Sequence, residues 1–277
     1  MSREASNDLT ASPVPDSRKV RLPDEKDLVI SLTIPTLNEE KFIAQMLGQL
    51  ARQSFRKFEV IVIDGGDKGP STDRTAEIAR SMGAKVFLLR RGGIVDARNL
   101  GAHMSLGEII VFTEADASPP PRWLETIYKQ FDDETLAVAG PGIPRGGSTF
   151  VRLEYAVYNA LRYIVGRLPK PLQHVSASGY NIAIRRDVFE KVGGFSFYPA
   201  NDDGLLGREV AMLGKTKFSR EAYVWISSRR FDNMGFFGAN LHYVYVLENF
   251  LNFLAPILRP VRHRSAKTFR ARAGVGK

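Results

Sequence analysis

The chain has 277 residues, 44% hydrophobic and 25% charged, a length and balance that suit one large α/β unit with tails. It has no cysteine, which excludes disulfides, thiolate metal sites and a cysteine nucleophile. The net charge of +9 is local: Arg259, Arg262, Arg264, Lys267, Arg270, Arg272 and Lys277 follow the last acid, Glu248, and 39 basic residues less these seven leave 32 against 30 acids, so nucleic acid is not an expected partner of the body.

Residues 1–28 are polar, carry Pro13, Pro15 and Pro23, and have no apolar stretch after Arg3. They read as a disordered or loosely packed extension rather than a signal peptide. Val29 to Ile34 predicts a first strand stopped by Pro35. Apolar residues at 42, 43, 46, 47 and 50 predict a helix from Glu39 to Arg52. Phe58 to Ile63 is a strand ending at Asp64. A helix over Thr72 to Met82, a strand over Lys85 to Leu89, a helix from about Ile94 to Ser105 and a strand over Glu108 to Thr113 follow. This alternation, with strands apolar on both faces, predicts a mainly parallel sheet flanked by helices.

Farther along, Tyr155, Tyr158, Leu161, Tyr163, Ile164 and Val165, with Arg152, Arg162 and Arg167, predict an aromatic helix that covers an acceptor site or meets lipid. Leu205 to Leu213 predicts another. Residues 235–258 form an aromatic amphipathic pattern that Glu248, Asn249 and Asn252 keep too polar to span a bilayer. That segment either packs on the core or lies in a membrane interface, and the basic residues 259–277 behind it favour an anionic membrane surface.

In open α/β sheets ligands sit at the carboxyl ends of the strands. Three such ends carry unusual residues: Pro35-Thr36-Leu37-Asn38-Glu39, Asp64-Gly65-Gly66 and Glu114-Ala115-Asp116. Any one of them reads as an ordinary turn, but together they line a polar crevice along one edge. Glu114 and Asp116, two apart, point to one side if the chain there is extended. Hard oxygen ligands in small number suit Mg²⁺ or Mn²⁺, which keeps waters and takes other ligands from a diphosphate. His103, in a predicted helix, and His174 have no metal-ligand spacing and receive no role.

Several motifs carry a resemblance. Ile34-Pro35-Thr36-Leu37-Asn38-Glu39-Glu40 is followed by Asp64-Gly65-Gly66, by Ser71-Thr72-Asp73-Arg74-Thr75, and by Ala97-Arg98-Asn99 with Gly101 and Gly107-Glu108. Gly179-Tyr180-Asn181, Val192-Gly193-Gly194-Phe195 and Asn201-Asp202-Asp203-Gly204-Leu205 with Arg208 complete the set. From about Val29 to Arg230 the chain resembles the family 2 glycosyltransferases, inverting enzymes of the GT-A fold. The resemblance implies one GT-A catalytic domain over 29–234, with a donor half at about 29–118 and an acceptor half at about 119–234. It implies that Pro35, Glu39, Asp64 and Arg98 line a nucleotide-sugar donor, with Glu114 near the ribose or metal. Asp116 would hold Mn²⁺ or Mg²⁺, and Asp202 would be the general base. Asn181, Asp203 and Arg208 would belong to the acceptor region. The implied reaction moves a sugar to a glycan or lipid-linked acceptor, in the cytoplasm at the inner face of the cell membrane.

Four departures from the family pattern stand out. Glu114 replaces an Asp, Asn201 replaces the Glu before the base, and Asp67-Lys68-Gly69-Pro70 interrupts the second motif and should enlarge a loop. The Arg-Trp signature of processive members is absent, with Ser228-Arg229-Arg230 in its place, so single transfer is expected and either arginine could meet the diphosphate. The alternatives are a sugar-nucleotide pyrophosphorylase-like enzyme, disfavoured by the lack of glycine after the first strand, and an inactive membrane- or nucleic-acid-binding relative.

Overall fold

The computed structural model describes residues 19–20, 23–24, 27–168, 178–196 and 202–229. The 235–258 segment, the basic residues 259–277, His174, Asn201 and Arg230 lie outside them. Strands β1 (Ile30–Thr36), β2 (Phe58–Gly65), β3 (Lys85–Leu89) and β4 (Ile109–Phe112) alternate with helices α1 (Glu40–Leu50), α2 (Thr75–Ser81) and α3 (Ile94–His103). Then come α4 (Trp123–Gln130), β5 (Thr135–Ala139), β6 (Gly142–Arg145), α5 (Thr149–Val165), β7 (Ile182–Arg185), α6 (Arg186–Val192), α7 (Asp202–Leu213), β8 (Lys215–Phe218) and β9 (Val224–Ser227).

Seven strands form one sheet in the order β3-β2-β1-β4-β7-β5-β8, mainly parallel, with β7 antiparallel to both β4 and β5. β6 and β9 make a separate parallel pair. The sheet is sandwiched. Ile30, Leu32 and Ile34 with Val60 and Val62 pack on Ile43, Met46, Leu47 and Leu50 of α1. On the other face Ile61 and Ile63 meet Ala97 and Leu100 of α3. Small Thr33 fits there because α3 approaches closely at Gly101, where an added Cβ would stand 2.9 Å from the Thr33 Cβ.

Pro35 does not stop β1, which runs on to Thr36. Alternate residues of a parallel strand bond to opposite neighbours. Val29 and Thr33 face β4, accepting from the Ile109 and Thr113 amides, so Pro35 faces that side too. The register with β4 has ended by then, at Thr33 opposite Phe112. The missing N–H therefore falls where no ladder partner stands.

Two loop expectations also change. Val20, inside the expected loose extension, is buried in the main core and its amide donates to the Met82 carbonyl at 2.9 Å. The insertion at 67–70 folds back on itself: the Gly66 and Gly69 backbones exchange hydrogen bonds of 2.8 and 2.9 Å. Gly65 makes this possible with φ of 143°, where a Cβ would lie 2.2 Å from the Leu89 carbonyl oxygen.

Candidate active site

The chain runs from β1 outward through β2 to β3, then returns to the other side of β1 as β4. This reversal opens a crevice at the carboxyl ends of β1 and β4. Its first wall is a welded loop. Asp64, at the end of β2 and 1% exposed, accepts from Thr36 Oγ1 at 2.9 Å, Ser71 Oγ at 2.5 Å and the Ser71 amide at 3.3 Å. Asn38, left-handed at φ 56°, accepts from the Thr72 amide, while its own amide donates to Ser71 Oγ. The Glu39 amide donates to Thr75 Oγ1 and the Glu40 amide to Asp73 Oδ2. Burial works against ionisation of Asp73, but bonds from Thr75 and the Glu40 amide outweigh it and leave its carboxyl below the usual range. The Ser-Thr-Asp-Arg-Thr motif thus ties its own loop to the start of α1. That is why residues 72–74, expected in a helix, lie before α2.

The second wall carries two partly buried carboxylates, Glu114 and Asp116. β4 ends at Phe112, and the Glu114 carbonyl accepts from the Ala117 amide, so Glu114 to Ala117 is a turn rather than an extended strand end. Glu114 and Asp116 consequently face different cations. Asp116 Oδ2 is 3.0 Å from Arg229 Nε. Arg229 Nη1 and Nη2 donate to the two oxygens of Glu39 at 2.9 and 2.6 Å, and its guanidinium carbon lies 4.4 Å from the centre of the Phe42 ring. Phe42 explains itself this way: it is the one apolar position of α1 that the helical pattern picked out but the core does not bury. The Glu39 hydrogen bonds, then Asp116, push the Arg229 pKa above its ordinary value.

Arg229 reaches this spot because β9 is pinned beside the turn. Ser118 and Trp225 exchange backbone hydrogen bonds of 2.7 and 3.1 Å, and β9 pairs along β6 from Val224 to Ser227. Sequence reasoning named Arg229 only as one of two arginines that could meet the diphosphate, without a reason to choose between them. The signal it lacked was β9, a four-residue strand.

Arg98 forms a second hub from the middle of α3, 5% exposed. Its Nη2 lies 3.3 Å from Glu114 Oε1 and its Nη1 donates to Asp203 Oδ1 at 2.9 Å. The other oxygen of Asp203 accepts from the Gly179 amide at 2.8 Å. This network ties the Glu114 turn to the first turn of α7. Asp202 is the opening residue of that helix rather than part of a preceding loop; its side chain lies outside the described atoms. Asp203 and Arg98 thus link the start of α7 to α3 and to the Glu114 turn. Arg208 lies half-buried farther along α7.

Asn181, expected in the acceptor region, points inward and is 1% exposed. Its amide donates to the Ala222 and Pro141 carbonyls at 2.7 and 3.3 Å and accepts from Trp123 Nε1 at 3.2 Å. It clips β7 to the strands around it, so its polar groups are satisfied in the core. Asn99 does the same between motifs, exchanging bonds of 2.9 Å with the Phe195 backbone. Pro35 is buried in β1.

The residues fit a hard divalent cation. Asp116 offers a hard carboxylate oxygen, 16% exposed, that already faces a cationic group. Among the described residues no cluster of three or more His, Cys, Asp or Glu could hold a metal. An ion at Asp116 would therefore take most of its shell from water and a bound diphosphate.

The mannosyltransferase PcManGT from Pyrobaculum calidifontis, solved with GDP-Man and Mn²⁺, superposes with a TM-score of 0.63 at 22% identity, over 85% of this chain and 65% of that one. The architecture is that of the GT-A glycosyltransferases. Glycosyltransferase AglE of Haloferax volcanii is 29% identical over 178 residues, 60% of this chain but only 55% of AglE. A dolichyl-phosphate hexose transferase of the same organism is 28% identical over 163 residues, 59% of this chain and 69% of that protein. The family model for glycosyl transferase family 2 matches residues 31–193, more than half of the chain. The chain belongs to this family. That assignment leaves the pyrophosphorylase-like alternative without support.

Proposed function

We propose that the chain transfers one sugar from a nucleoside-diphosphate donor to an acceptor hydroxyl with inversion, assisted by Mn²⁺ or Mg²⁺. The supporting observation is the gathering of Asp64, Glu39, Glu114 and Asp116 at the carboxyl edge of three adjacent strands, with Arg229 facing Glu39 and Asp116. Asp64 and the welded 71–75 loop form the base-binding end, and Glu39 and Glu114 flank the nucleotide. Asp116 holds the divalent ion, which supplies Lewis acidity to the departing diphosphate. The acceptor hydroxyl attacks the anomeric carbon opposite the leaving group, its proton passes to the Asp202 carboxylate, and the anomeric C–O bond to the diphosphate breaks. The Arg98–Asp203 ion pair, which ties the start of α7 to α3 beside Asp202, supports this role. Incubation with a panel of nucleotide sugars and Mn²⁺ tests this reading. Release of free nucleoside diphosphate, stopped by EDTA, is expected from at least one donor; no release from any would overturn it.

A specific surface favours a lipid-borne acceptor. Phe150, Leu153, Val157, Leu161 and Ile164 of α5 are 45–62% exposed and recur at three- and four-residue steps along one face. At 1.5 Å per residue this ridge is about 21 Å long. An exposed apolar ridge suits a membrane interface, and the dolichyl-phosphate relative is named for a lipid substrate. No helix among the described residues is long and apolar enough to cross a membrane. Co-sedimentation with anionic liposomes should fall sharply for Leu153→Glu/Val157→Glu. Equal pelleting of variant and parent would remove α5 as the contact.

A further inference from the structure

We propose that Arg229 is a tethered counter-cation that occupies Asp116 until the donor diphosphate arrives, so that the divalent ion enters together with the nucleotide rather than before it. The inference rests on the donor and metal reading above. Its basis is the asymmetry of the arginine's contacts. Two parallel charge-assisted bonds hold the guanidinium to Glu39, and the Phe42 ring supports it from one side. Only Nε reaches Asp116, at 3.0 Å. The fork anchors the cation, and the Asp116 contact is the part that can open.

The electrostatics follow. A free metal ion approaching Asp116 must displace that contact and sit beside a fixed positive charge, with the Asp116 carboxylate itself only 16% exposed. Arginine stays charged at any working pH, so acidity does not remove the obstacle. A diphosphate brings negative charge that compensates both cations at once. Arg229 then keeps its hold on Glu39 while Asp116 turns to the metal. By linkage, nucleotide and metal each tighten the other's binding, and Arg229 sets the size of that coupling.

Titration of the full chain with Mn²⁺, read by electron paramagnetic resonance with and without GDP or UDP, tests the proposal. Arg229→Gln should bind Mn²⁺ at least about tenfold tighter without nucleotide, the change that about 1.4 kcal/mol produces. The gain should vanish in Arg229→Gln/Asp116→Asn. Arg229→Lys keeps the charge but loses the planar fork, and should show a smaller gain; it also serves if the glutamine variant does not fold. Unchanged or weaker nucleotide-free affinity in both variants, with wild-type Mn²⁺ binding intact in the presence of nucleotide, overturns the counter-cation role alone. No Mn²⁺ binding by the wild type with either nucleotide overturns the metal reading as well.

Discussion

At the level of single residues, the site is built from carboxylates whose partners differ, and the partners predict the consequences of substitution. Asp203 is occupied by Arg98 and the Gly179 amide, whereas Asp202 opens the helix beside it. Asp202→Asn should leave donor affinity intact and lower turnover by roughly 10²-fold or more, the lower range for a lost general base. Calorimetry with nucleotide and steady-state rates check the two halves separately, and near-normal turnover would move the base elsewhere. Gly179 makes a second test. A Cβ there would stand 1.8 Å from Arg98 Nη2. The guanidinium is buried between Glu114 and Asp203 and has little room to retreat, so Gly179→Ala should destabilise the protein by about 1–3 kcal/mol. A melting temperature equal to that of the parent would show that the Arg98 network can shift without loss.

Among the secondary-structure elements, what was legible depended on length and periodicity. β1 to β4 and α1 to α3 were visible because these strands are nearly uninterrupted apolar runs, even the four-residue β4 (IIVF), and the helical spacing is regular; β3 falls on the expected residues, Lys85–Leu89. β6, β7, β8 and β9 have four residues each, and two of them read GIPR and KTKF, too short and mixed to declare a period. Those strands carry Arg229 to the crevice, so the donor-side carboxylates could be read from sequence but the cation facing them could not. β8 also shows how polar residues hold short strands. Asp132 accepts from Thr135 Oγ1 at 2.6 Å and from Lys215 and Lys217 Nζ at 3.0 Å each, joining β5 to β8. The Thr135 bond first, then the two lysines, hold its carboxyl far below the ordinary range. An unfolded Asp titrates near pH ~3.9. The stabilisation is therefore complete above that pH and is lost as the pH falls toward the folded value. Asp132→Asn should melt below the parent at pH 7, with the gap narrowing as the pH drops below about 4. A gap that is the same at both pH values would show that the carboxylate charge is not its source.

For the molecule as a whole, contacts of very different sequence separation hold the fold. β2 pairs with β1 and β3 across fewer than thirty residues, whereas β4 returns to β1 across 79. β5 pairs with β8 about eighty residues later, and β6 with β9 at a similar separation. The pinning of β9 against Ser118 therefore has a kinetic meaning. Ser118 meets Trp225 across 107 residues and Arg229 meets Glu39 across 190, longer closures than any strand pairing, so this crevice wall should be among the last parts of the described fold to form. The two tryptophans report on this separately: Trp123 is fully buried in α4, and Trp225 is on β9. In refolding followed by fluorescence, a Trp123→Phe variant, which leaves only Trp225, should show a slower final phase than a Trp225→Phe variant. Superimposable traces would mean that both regions cross one barrier together. If the phases separate, an intermediate exists in which Asp116 is in place but Arg229 has not yet reached it. Divalent ions added during refolding would then meet a carboxylate without its guard, and could hold back the last strand.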